Sequence, residues 1–246
     1  MTNKIKELLP LIQNNPLFAK NDFRLVGGTA MSYHLSHRVS EDLDFCILDD
    51  LPLKDIEEFI EFCIEKFSID KVDYIDPNES IKNDFLIGGS NVEYYLQTWV
   101  VNGVKIQFYD GSGHLGAKDI FASDNYTKIG DIKIASLETI FKMKSLMFYK
   151  RAKSRDLFDM LTFFNLNNRN FAPEKTKELI MQYDKLYYDE DLFQSLWLES
   201  FKGKKYIKEL DEGLMGLTLN PKTFYEMRKE IVEIFINFLI EKLNEF

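Results

Sequence analysis

The stretch VGGTAMSYHLSHRVSEDLDF (26–45) concentrates the residue types that could do chemistry. Gly27-Gly28 stands where a short apolar run gives way to a helix-like segment, and glycine there lets a ligand come close to the backbone. The N–H groups and partial positive charge of a helix start suit phosphate, and Thr29 adds a hydroxyl. Asp42 and Asp44 lie two apart on a β-rich run, so both carboxylates leave the same face. Such a pair repels unless a cation lies between them. Oxygen-only ligands suit Mg²⁺, which takes one or two carboxylates plus substrate phosphates. Arg38 and Ser40 lie between the two motifs. A phosphate cradle beside a Mg²⁺ seat is the equipment of phosphoryl or nucleotidyl transfer. Each piece alone is weak, since Gly-Gly before a helix is common and most Asp-x-Asp pairs are solvated strand ends. There is no G-x-G-x-x-G and no Walker A lysine. The combination at this spacing carries the reading.

The elements that must position these residues follow from periodicity. Ile5, Leu8, Leu9 and Ile12 give a first amphipathic helix, ended by Asn-Asn-Pro. FRLV (23–26) reads as a strand, GGTAMSYHLS as a turn into a helix, and DLDFCIL (42–48) as a buried strand. A helix runs from the Asp49–Pro52 turn to about Phe67, with Ile56, Phe59, Ile60 and Ile64 at helical spacing. From residue 69 the period changes to two: SIDKVDYID is a strand, and YYLQTWVVNGVKIQFYD is a hairpin closed by Asn102-Gly103, the favoured pair for a type I′ turn. From about Ser136 the pattern is helical to the end. SLETIFKMKSLMFYKR, opened by a partial capping box at Ser136, and RDLFDMLTFF are followed by helices over 173–184, 188–199, 202–213 and 221–245. Helices after strands, rather than alternating with them, predict an α+β protein: a small core with a mixed sheet, residues 1–135, then a helical C-terminal domain, 136–246.

Composition sets the class. The chain has 246 residues, 45% hydrophobic and 29% charged, enough for a core in one large or two small domains. Only 12 Gly and 6 Pro argue against an all-β or disordered chain. The net charge of -9 does not advertise nucleic-acid binding, although a local basic patch can sit on an acidic protein. Cys46 and Cys63 make neither a metal cluster nor a disulfide framework and read as buried thiols of a reducing cytosol. The N-terminal MTNKIKELLPLIQNN lacks the apolar core of a signal peptide, and no window approaches the ~18 apolar residues of a membrane span. The expected location is cytoplasmic.

GGTA–x6–HRVSEDLDF resembles the nucleotidyltransferase AbiEii/AbiGii toxin family, a branch of the DNA polymerase beta-like nucleotidyltransferase superfamily. A second match follows in KMKSLMFYKRAKSRDLFDM (142–160), where Lys144, Arg151, Arg155, Asp156 and Asp159 stand in the family order, with Met160 for the usual Leu. The resemblance covers roughly residues 20–165; beyond that the chain matches only in being helical. It implies a nucleotidyltransferase core and Mg²⁺-dependent attack of an acceptor hydroxyl on the α-phosphorus of an NTP. Gly27, Gly28 and Thr29 would hold the β- and γ-phosphates, with less support for Arg38 and Ser40. Asp42 and Asp44 would hold the catalytic Mg²⁺ ions. Lys144 would contact the triphosphate, and Asp156 would sit near the acceptor or assist its deprotonation. Relatives are toxins of toxin–antitoxin or abortive-infection systems, some adding nucleotides to tRNA, so tRNA and a cognate antitoxin are the implied partners. A small-molecule acceptor of the antibiotic type and a non-catalytic nucleotide-binding protein are the alternatives. Many superfamily members carry a third carboxylate on a later strand. Here VKIQFYD (104–110) has Gln107 at that place, and Asp110 is in the opposite side-chain phase.

Other groups divide between structure and function. Lys142 shares a helix with Lys144, and only the family spacing separates them. The basic run KRAKSR (150–155) reads equally as a helix end and as a phosphate contact. Asp159 either pairs with a basic neighbour such as Arg155 or reaches the site. His34, His37 and His114 have no zinc spacing.

Overall fold

The computed structural model describes residues 1–166, 168–202 and 213–244. The chain divides into two compact units, Met1–Leu137 and Glu138–Phe246. The first holds helices α1 (Asn3–Ile12), α2 (Pro16–Lys20), α3 (Gly27–Leu35), α4 (Leu53–Phe67), α5 (Glu79–Ile87) and α6 (Ala117–Ala122). Its strands are β1 (Arg24–Val26), β2 (Asp42–Ile47), β3 (Val72–Tyr74), β4 (Leu96–Val101), β5 (Val104–Asp110), β6 (Thr127–Ile129) and β7 (Ile132–Ile134). They form one mixed sheet in the order β3-β4-β5-β2-β1-β7-β6. β2 lies at its centre, parallel to β5 and antiparallel to β1.

Alternation along β2 and β5 sorts their side chains. Leu43, Phe45, Ile106 and Phe108 are fully buried. Phe45 and Phe108 stack at 5.5 Å between ring centres, and Phe18 of α2, Phe23 and Phe59 of α4 pack onto them. The residues between them, Asp42, Asp44, Lys105 and Gln107, are only half-buried. The period of two thus sends rings to one face and polar groups to the other. Local sequence starts and stops the elements. Asn15 caps α2, accepting from the Leu17 N–H at 3.0 Å, with Pro16 in the first turn. Asn102 and Gly103, both at positive φ, close the β4–β5 hairpin as expected for a type I′ turn.

Three parts differ from expectation. SIDKVDYID pairs only over β3, and Ile69–Lys71 is a 3₁₀ turn; β3 is an edge strand bonded only to β4. α5 buries none of its residues, so it carries no apolar periodicity to read. β6 and β7 have three residues each, too few for alternation to register.

The second unit is helical: α7 (Leu137–Met147), which begins on the last residue of the first unit, α8 (Ser154–Phe164), α9 (Pro173–Tyr183), α10 (Glu190–Leu192), α11 (Glu199–Lys202) and α12 (Phe224–Asn244). The helix expected over 188–199 is broken: a π-helical stretch, Phe193–Leu198, joins α10 to α11. It places Trp197 4.7 Å from Phe193 and 5.5 Å from Phe201, with Phe235 of α12 at 4.9 Å. In α12, Ile231 and Phe235 are fully buried and Ile234, Phe238 and Leu239 are half-buried. The helix expected over 202–213 lies, but for its ends, outside the described residues. Among the described residues no helix is long and apolar enough to cross a membrane.

Phe108 meets three aromatic neighbours and is fully buried. Phe108→Ala is expected to destabilise the first unit by about 3–5 kcal/mol in urea denaturation. A loss under about 1 kcal/mol would contradict this description of the core.

Candidate functional site

The first unit assembles the glycine pair, the cation and the two carboxylates. β1 ends at Val26 and α3 starts at Gly27, whose φ is +69°. Val26 occupies the N-cap position and has no side-chain oxygen to cap the helix. A Cβ on Gly27 would lie 2.5 Å from Asp44 Oδ2, and one on Gly28 would lie 2.4 Å from Arg38 Nη2 and 3.0 Å from Ser40 Oγ. The missing side chains therefore let the Asp44 carboxylate and the Arg38 guanidinium close onto the start of α3. Negative charge is favourable at that end of a helix.

Thr29 is fully buried and ties the motif together. Its hydroxyl lies 2.9 Å from Ser40 Oγ and donates to the Asp42 carbonyl. Ser32, one turn on, donates to the Arg38 carbonyl at 2.9 Å. The loop carrying Arg38 and Ser40, both buried, is in this way fixed to α3 just before β2 begins. β1 and β2 pair with Val26 opposite Asp44, which brings the glycine turn beside the second carboxylate.

Asp42 and Asp44 project from one face of β2, and across β5 stand Lys105 and Gln107 in register with them. Lys105 Nζ is 3.1 Å from Asp42 Oδ2. The Gln107 amide donates to Thr98 Oγ1 of β4 at 3.1 Å. The donor set of Asp42 and Asp44 is all oxygen and fits a hard divalent cation such as Mg²⁺, which completes its shell with water and phosphate. Among the described residues no group of three or more His, Cys, Asp or Glu side chains could hold a metal ion. Cys46 and Cys63 are buried, and burial pushes both thiols up to about 12, as inert core residues. His34 hydrogen-bonds the Ala135 carbonyl at 2.9 Å. Lys105 escaped the sequence reading. Its phase with Gln107 was legible, but its place opposite Asp42 depends on the β2–β5 register.

The second unit brings the other matched residues together. Lys144 on α7 is buried, with Nζ 3.1 Å from Asp156 Oδ1 and 2.8 Å from Asp159 Oδ2 on α8. Arg151 forks onto Asp156 through Nε at 3.1 Å and Nη2 at 2.8 Å. Burial raises the Asp156 carboxyl, but the Lys144 and Arg151 charges outweigh it and hold it below the ordinary carboxylate range. Lys142 instead pairs with Glu138 at 2.7 Å, one turn back on its own helix. Structure thus separates the two lysines that residue type could not. The basic run is partly engaged in the same way: Lys150 meets Asp184 at 3.0 Å, and Arg155 reaches the Gly213 carbonyl at 3.5 Å.

Two outcomes follow. Gly27→Ala is expected to cost about 1–2 kcal/mol through its positive φ, and more through Asp44, while Gly28→Ala costs less because a guanidinium end can move aside. Urea denaturation of both would expose an error in the turn geometry if Gly28→Ala cost as much or more. Because the Asp156 pKa is lowered on folding, its contribution is full above the unfolded value of about 3.9 and is lost as pH falls through the folded value. Asp156→Asn is therefore expected to destabilise the second unit by about 3 kcal/mol at neutral pH. The gap to the unsubstituted protein should narrow below about pH 4. A gap that is constant across that range would contradict the ion pairing.

Comparison with known proteins places the chain in a family. Residues 13–233 match the family model of the nucleotidyl transferase AbiEii toxin, type IV toxin–antitoxin system. Among solved structures, the chain resembles MenT4, a nucleotidyltransferase toxin from Mycobacterium tuberculosis, with a TM-score of 0.52 at 12% identity over 94% of this chain and 82% of that one. A candidate nucleotidyltransferase from Helicobacter pylori gives 0.47 at 17% identity over 99% of both chains. JHP933 from the same species gives 0.46 at 16% identity over 100% of this chain and 97% of that one. No curated protein matches. The family match spans both the glycine–carboxylate motif and the Lys144–Asp156 segment, and on that match the chain belongs to the nucleotidyl transferase AbiEii toxin family.

Proposed function

We propose that the protein transfers a nucleoside monophosphate from an NTP to an acceptor hydroxyl, releasing pyrophosphate, and acts as the toxin of a toxin–antitoxin pair with tRNA as acceptor. The observation that carries this reading is the closure of Asp44 and Arg38 onto the Gly27-Gly28 turn. It joins an anion-binding helix start to two carboxylates on one strand face. Gly27 and Gly28 admit the β- and γ-phosphates to the backbone, and Arg38 and Ser40 lie where they can add a cation and a hydroxyl. Thr29 keeps that loop in place through its inward hydrogen bonds.

Asp42 and Asp44 would hold Mg²⁺, which when bound there offsets phosphate charge and lowers the pKa of a coordinated hydroxyl. Asp156 is a weak base, because two cations hold it ionised. Its proposed part is to orient Lys144 rather than to take the acceptor proton. The acceptor oxygen forms a bond to the α-phosphorus as the bond to the β-phosphate bridging oxygen breaks, and the acceptor proton passes to solvent.

Family membership supports the nucleotidyl transfer and the toxin role, and the tRNA acceptor is what the resemblance of the two sequence motifs implies. A small cationic acceptor is the second reading. It is favoured by the net charge of -9 and by the ion pairing of Lys150 and Arg151 within the basic run.

The test is a transfer assay with Mg²⁺, each labelled NTP in turn and total tRNA, beside an Asp44→Ala control. Label on tRNA only with the intact protein is the expected result. Metal-dependent NTP binding with unlabelled RNA would favour the small acceptor, and no NTP binding would overturn the reading.

A further inference from the structure

The start of α1 crosses the end of the sheet where β2 and β5 begin. The Thr2 N–H donates to the Ser40 carbonyl at 3.0 Å, just before β2. Lys4 reaches the hairpin turn just before β5, where a Cβ on Gly103 would lie 2.5 Å from its Nζ. Ile5, Leu8, Leu9 and Ile12 are buried and fix the helix, which leaves Lys4 and Lys6 exposed. Burial, then the Lys6 and Arg38 charges, lower the pKa of the Met1 amino group, so both cations lie near that one point. Lys6 thus stands beside the loop that carries Arg38, and Lys4 beside the strand that carries Lys105. Lys105 is held by Asp42. Among the described residues Lys4 and Lys6 have no ion pair, although Glu7 shares the helix and Glu41 the loop, both exposed.

We propose that Lys4 and Lys6 hold the phosphodiester backbone of an RNA acceptor at the edge of the nucleotide site. This rests on the reading of that site as a nucleotidyltransferase centre. The charge of the NTP is met inside the cradle, by metal on Asp42 and Asp44, by the start of α3 and by Arg38. Lys4 and Lys6 lie beyond that cradle, on α1, with no carboxylate to answer them. Two such ammoniums attract phosphate and repel a cationic acceptor, even on a chain whose net charge is -9. A lysine on its four-carbon stem can follow a phosphate backbone, and contacts of that kind position a nucleic acid without reading its sequence. Because Thr2 fastens α1 to Ser40, RNA seated on the two lysines is presented at the strand end that carries Asp42. The two lysines are positioning residues, which place the acceptor and touch no reacting atom.

The test is fluorescence anisotropy with a 5′-labelled single-stranded RNA over a series of salt concentrations, beside NTP binding with Mg²⁺ on the same proteins. Lys4→Gln combined with Lys6→Gln is expected to weaken RNA binding about fivefold per lysine at about 0.1 M salt. It should also lower the slope of log K against log salt by about 0.7 per lysine. Lys4→Arg combined with Lys6→Arg keeps the charge and should keep both affinity and slope. Lys118→Gln combined with Lys128→Gln removes the same charge from exposed positions on α6 and β6 and should leave the slope unchanged. Equal losses in the two glutamine pairs would make the effect one of net charge and overturn the proposal. Intact protein that binds NTP but no RNA would overturn it too, and leave the nucleotide site standing. So would a loss of NTP binding in the first glutamine pair as large as its loss of RNA binding. If the intact protein binds no NTP, the nucleotidyltransferase reading fails and this proposal with it.

Discussion

The pairing of β2 with β5 is the constraint on which the first unit depends. It sets Asp42 against Lys105, Asp44 against Gln107 and Phe45 against Phe108 in one register. A slip of one residue would turn the rings to the polar face and the carboxylates into the aromatic core, where unpaired charge is costly. The aromatic cluster therefore does more than stabilise the sheet. By fixing which way Phe45 and Phe108 point, it fixes which way the acids point.

The start of α3 is subordinate to the same strand. Val26 pairs opposite Asp44, and Gly27 turns immediately after it with a positive φ that glycine adopts without strain. Thr29, Ser32 and Ser40 then bind the connecting loop by hydroxyl hydrogen bonds, so Arg38 is held against Gly28 rather than left in solvent. The polar groups of the motif are bound to one another, which fixes their geometry in advance.

The second unit solves a different problem, the burial of like charges. Asp156 and Asp159 share a turn of α8 and are both buried. Lys144 lies between them, and Arg151 takes the outer side of Asp156. Removing any one partner leaves a buried charge without its full compensation, which binds the four residues into one structural unit.

The sequence alone determined the pieces. The period of two in DLDF put two carboxylates on one face, Asn102-Gly103 specified the hairpin, and helices following strands gave the α+β class. These are local properties, set by backbone sterics and side-chain alternation within a few residues. Short or solvent-surrounded elements were illegible, because β6 and β7 are too brief to show alternation and α5 buries nothing. Which groups meet was decided only by tertiary structure. Lys105 faces Asp42, Lys144 rather than Lys142 is buried against two aspartates, and Thr29 turns its hydroxyl inward. Those contacts join residues of different elements, and their free energy depends on strand register and helix packing that no local window contains.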